Sequence, residues 1–125
     1  ALYYAIDIIE DGMRFKELSK AIEDFITSRG YQPLVRFCGH GIGRKPHEDP
    51  EIPNYLEHGG TKSGPKIKNG MVFCIEPMIC QKDRNPVILK NGWDVVSADG
   101  LRGSHYEHTV AVVDGRAVIL SNREN

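Results

Sequence analysis

Residues 38–50 read Cys38-Gly39-His40-Gly41-Ile42-Gly43-Arg44-Lys45-Pro46-His47-Glu48-Asp49-Pro50, and this stretch organises the rest of the chain. Glycines flank His40 on both sides, which allows backbone to approach where a side chain would intrude. A short strand over Leu34–Cys38 is expected to lead into a glycine-rich turn carrying His40. Beyond it, residues 44–70 are dense in Pro, Gly, Lys and Glu and read as an extended surface loop.

Upstream, two helices are expected. Leu2, Ala5, Ile6 and Ile9 recur at helical spacing before Gly12. Phe15, Leu18, Ile22, Phe25 and Ile26 then form an apolar face opposite Lys16, Glu17, Lys20, Glu23 and Asp24, with Gly30 placed to end the helix. Downstream, Met71–Cys80 reads as a strand interrupted by Pro77, a residue that favours an edge or a bulge. Tyr106–Asp114 and Ala117–Leu120 read as a hairpin across Asp114-Gly115. Helices first and strands afterwards make the expected class α+β, with a largely antiparallel sheet.

Two glutamates stand among apolar neighbours. Glu76 follows Val72, Phe73 and Ile75, and Glu107 precedes Val110-Ala111-Val112-Val113. A carboxylate buried alone is costly, so each needs a cation, a donor or a proton. With His40 they make a donor set suited to manganese, iron, cobalt or zinc. Taken singly, each fits a satisfied structural residue as well.

Composition narrows the classes. Charged residues are 26% and the net charge is −1, so nothing points to DNA. No apolar stretch has the length of a membrane span. The cysteines (Cys38, Cys74 and Cys80) are odd in number and lack CxxC spacing, which argues against a disulfide scaffold or structural zinc. Ala1 in place of Met suggests that residues upstream have been removed.

The joint pattern resembles the type I methionine aminopeptidases of peptidase family M24. The resemblance rests on Gly39-His40-Gly41-Ile42-Gly43, His47-Glu48-x-Pro50, Ile52-Pro53-Asn54-Tyr55, Gly70-Met71, Ile75-Glu76-Pro77-Met78, Gly92-Trp93 and Glu107-His108-Thr109. It implies that residues 1–125 are the C-terminal half of a pita-bread catalytic domain. The implied metal ligands are His40, Glu76 and Glu107, with Glu107 bridging two divalent ions (Co, Mn, Fe or Zn). Glu76 would also take a proton from a metal-bridging water that attacks the first peptide bond. His47 would hydrogen-bond the substrate, and Trp93 would shape a methionine pocket.

The implied activity is removal of the initiator methionine from peptides and nascent chains in the cytoplasm, with transient ribosome association. Two aspartate ligands and a further histidine would come from an N-terminal half, so the chain alone is expected to be incompetent. Alternatives are a proline-specific peptidase of the same fold, or a non-catalytic binding module. Asp94 and Asp99 sit in no matching motif. Pro46 replaces a common aromatic, His105 a common glutamine, and Cys74 a common Thr or Ser. His105 shares a strand face with Glu107 on this reading, within reach of substrate or metal or else solvated.

Overall fold

The computed structural model describes residues 1–123. Helices α1 (Leu2–Asp7) and α2 (Phe15–Thr27) come first, as the spacing predicts. Phe15, Leu18, Ile22 and Ile26 are buried along one stripe of α2, each such side chain contributing about 1.5–3 kcal/mol on leaving water. Phe25 lies off that stripe, stacked on Tyr4 at 4.4 Å and covered by the Arg29 guanidinium at 3.6 Å. The helix closes with Gly30 N–H donating to the Thr27 carbonyl at 3.0 Å and Tyr31 N–H to that of Ile26 at 3.3 Å, a Schellman pattern.

Ten strands follow. They are β1 (Gln32–Pro33), β2 (Cys38–Gly41), β3 (Glu48–Pro53), β4 (Val72–Ile75), β5 (Met78–Cys80), β6 (Pro86–Ile88), β7 (Val95–Ser97), β8 (Gly103–His105), β9 (His108–Val113) and β10 (Arg116–Ile119). Every pairing is antiparallel. The main sheet has the order β10-β9-β4-β2-β3, beside a β1-β5-β8 sheet and a β6-β7 hairpin. Both helices lie on one apolar cluster with the main sheet, where Phe15 meets Phe73 edge-on at 5.2 Å.

Five expectations need correction. Leu34–Cys38 is not a strand: Arg36 has φ 75, which breaks extension, and pairing starts only at Cys38. The glycine-rich turn is therefore itself strand β2. Glycine is required there, because a Cβ on Gly39 would strike the Cys74 carbonyl and one on Gly41 that of Asp49. The loop 44–70 contains β3, whose Pro50 and Pro53 are tolerated because β3 is an edge strand.

Met71–Cys80 is two strands in two sheets. Glu76 and Pro77 form the break, so Pro77 marks the crossing from the centre of one sheet to another rather than an edge or a bulge. Last, neither Glu76 nor Glu107 is strand-borne: Glu76 joins β4 to β5, and Glu107 joins β8 to β9. The final hairpin forms as expected across Asp114 (φ 49) and Gly115 (φ 84), a turn whose twist suits the flanking strands.

Candidate metal centre

Ladder register assembles the site. His40 on β2 pairs with Cys74 on β4, and Cys74 pairs with Thr109 on β9, so these side chains form a row across the sheet. A bulge between His40 and Gly41 shifts the β2–β3 register beside the row, a device that re-aims side chains near functional sites. Where β4 ends and β9 begins, Glu76 and Glu107 lie just outside the sheet, and both carboxylates reach the end of the row.

Glu76 is 8% exposed. Its Oε1 lies 3.1 Å from His40 Nε2, and its Oε2 lies 3.3 Å from His105 Nε2. Ligand atoms of Glu76, His105 and Glu107 lie within 4.8 Å of one another, as do those of His40, Cys74 and Glu107. Burial, and then the charge of Glu107, push the Glu76 carboxyl above its ordinary value, against the opposing pull of His40 and His105.

The His40 ring decides what this arrangement suits. Its Nδ1 lies 2.9 Å from the Gly41 carbonyl oxygen, which can only accept, so Nδ1 carries the hydrogen. In the neutral ring, Nε2 then turns a bare lone pair towards the Glu76 carboxylate. Two lone pairs at 3.1 Å repel unless a cation or a proton lies between them. A carbonyl-oriented imidazole with a carboxylate beside it is the arrangement by which proteins present histidine to a metal. The residues fit a divalent cation.

The remaining candidates are arranged around this centre. His47 is exposed just before β3, its ring 4.2 Å from that of His40 and tilted by 49°. Trp93 is 86% exposed at the β6–β7 turn, so it is not core. It lines a groove of about 1040 Å³ with Phe37, Met78, Leu101 and His105. Asp94 and Asp99 serve turns, accepting from Asn91 Nδ2 at 2.7 Å and from the Asp83 backbone at 2.9 Å, respectively. Cys74 Sγ is 3.4 Å from Thr109 Oγ1, and burial pushes its thiol upward.

Sequence reasoning missed one feature and left another open. Asn54, 1% exposed, donates from Nδ2 to the Glu76 carbonyl at 3.2 Å, which only the folded register reveals. His105 reaches Glu76 because it ends β8 opposite Met78, two residues past Glu76. Its position two before Glu107 pointed to the site, and the fold brings it to Glu76 and Glu107 together.

The sequence profile described as metallopeptidase family M24 matches residues 1–114. The chain belongs to metallopeptidase family M24. Membership of this family implies dependence on a divalent metal. A methionine aminopeptidase of Helicobacter pylori is 62% identical over 124 residues, covering 98% of this chain and 49% of that protein. The chain thus spans about half the length of the curated relatives it matches. A methionine aminopeptidase structure from Thermotoga maritima superposes with a TM-score of 0.92 at 37% identity, over 98% of this chain and 48% of that one. A Pyrococcus furiosus prolidase superposes at 0.69 with 27% identity, over 99% and 30%. The α+β architecture is thus that of the pita-bread proteins, and relatives from 34% to 62% identical are methionine aminopeptidases. No helix among the described residues is long and apolar enough to cross a membrane.

Proposed function

We propose that this chain is the C-terminal half of a type I methionine aminopeptidase catalytic domain, removing N-terminal methionine from peptides and nascent chains in the cytoplasm. The observation that carries the reading is the committed Nδ1 of His40 with its Nε2 at 3.1 Å from Glu76. His40, Glu76 and Glu107 would hold two divalent ions drawn from Co, Mn, Fe or Zn, completed by two aspartates from the segment that precedes this one in its relatives. Without those aspartates the chain is inactive.

Such ions lower the pKa of bound water and polarise a carbonyl oxygen. The chain's residues do the rest. Glu76, buried beside His40, accepts the proton of the attacking water. His47, exposed beside His40, donates a hydrogen bond to the substrate near the scissile bond. The groove under Trp93 takes the apolar side chain of the first residue. Transient association with the ribosome would bring nascent chains to this site.

Hydrolysis of Met-Ala-Ser against a Gly-Pro dipeptide, in the presence of Mn²⁺ or Co²⁺, tests the reading. Release of methionine by the protein joined to its preceding segment, lost in Glu76→Gln and His47→Ala, supports it. Preferential cleavage of Gly-Pro overturns it in favour of a prolidase.

A further inference from the structure

We propose that His105 is a metal ligand, forming with Glu76 and Glu107 a divalent-cation site made wholly from this chain. Strand β8 pairs with β5 so that His105 lies opposite Met78, and its ring turns back over the Glu76–Pro77 crossing. Its Nε2 stands 3.3 Å from Glu76 Oε2, and the ligand atoms of Glu76, His105 and Glu107 lie within 4.8 Å. Among the described residues, the His105 imidazole has no other hydrogen-bond or ion-pair partner.

Glu76 therefore offers each carboxylate oxygen to a different imidazole nitrogen, His40 on one side and His105 on the other. Two carboxylates and one imidazole on one side of a cation combine the oxygen and nitrogen donors that first-row divalent metals accept. A second nitrogen also moves preference from manganese towards iron, cobalt and zinc, which bind imidazole more tightly.

This inference rests on the metal-centre reading above, and the test separates the two. Mn²⁺ is bound to the purified protein, and pulsed electron paramagnetic resonance counts the coordinated histidine nitrogens. The expected result is two nitrogen couplings in the native protein and one in His105→Gln. In His40→Gln one coupling remains, that of His105. Mn²⁺ titration of His105→Gln should show affinity weakened by about tenfold or more. His105 is half-exposed, so its replacement leaves the fold in place, which an unchanged melting profile of the metal-free variant checks. Bound Mn²⁺ with a single coupling that persists in His105→Gln overturns this inference and leaves the metal centre standing. Failure to bind Mn²⁺, Co²⁺ or Zn²⁺ at all overturns both.

Discussion

Asn54 holds Glu76 by its backbone: the amide Nδ2 donates to the Glu76 carbonyl at 3.2 Å, and Asn54 itself is 1% exposed. The bond falls where Pro77 ends β4 and ladder pairing cannot restrain the chain. The side chain thus replaces a missing strand contact at the residue whose carboxylate faces His40. Asn54→Ala leaves the carbonyl buried and unpaired, a cost of about 1–3 kcal/mol. It also frees the Glu76 carboxylate to drift, which should weaken divalent-metal affinity by about 10–100-fold. Thermal melting and Mn²⁺ titration of the same variant measure the two effects; an Asn54→Ala protein with native affinity would show that β4 alone positions Glu76.

Glu76 is expected to be destabilising when no metal is bound. Its carboxyl lies above the ordinary value because of burial and Glu107, so the folded state holds the proton more tightly than the unfolded state. Stability is then greatest below the ordinary carboxylate pKa and falls as pH rises towards the raised one. Glu76→Gln removes the charge and keeps the shape. The metal-free variant should melt above the native protein at neutral pH, with the difference narrowing as pH falls. Added Co²⁺ should raise the melting point of the native protein and leave the variant unmoved.

Much of the fold is legible in the sequence because local signals govern it. The apolar spacing from Phe15 to Ile26 specifies α2, and Asp114-Gly115 specifies the last turn. The strand containing His40 is not legible this way, because glycine discourages a strand reading unless the partner backbone is known to press against it. β3 is hidden for a related reason: Pro50 and Pro53 argue against a strand until its edge position is known. The site follows the same division. His40, Glu76 and Glu107 stand out by residue type and setting, whereas His105 and Asn54 join them only through the β5–β8 register and the Pro77 crossing.

The thiols supply a test through pH. Burial is the leading cause raising Cys38, Cys74 and Cys80 alike, with Glu51 adding at Cys38 and Asp99 at Cys80. At Cys74 the Thr109 hydroxyl pulls the other way, and Glu107 adds to the rise. Thiolate is the reactive form, so alkylation by iodoacetamide at pH 8 should be slow in the folded protein and fast after denaturation. The same shifts make the folded protein lose stability as pH climbs through the ordinary thiol range, since the unfolded chain releases its protons first. Intact-mass measurement over time reports the labelling. Rapid modification of Cys74 in folded protein would mean that its side of the metal centre opens to solvent.

Gly39 joins fold to function most directly. A methyl group there would enter the space of the Cys74 carbonyl, and Ile52 closes the other side. Neither neighbour can yield without moving β2 away from β4, and the His40–Cys74 pairing lies one residue on. Gly39→Ala should therefore cost about 1–3 kcal/mol from overpacking. It should also displace the His40 ring from the Glu76 carboxylate, so metal affinity falls with stability. Gly60→Ala provides the contrast: that glycine lies in a surface loop with nothing within 4 Å of a built Cβ, though its φ of +70° adds some backbone strain. Its melting point should drop modestly while Mn²⁺ affinity stays native. Equal loss of affinity in both variants would mean that general destabilisation, rather than the β2–β4 approach, governs the site. Loss confined to Gly39→Ala would show that this close backbone contact sets the distance between imidazole and carboxylate.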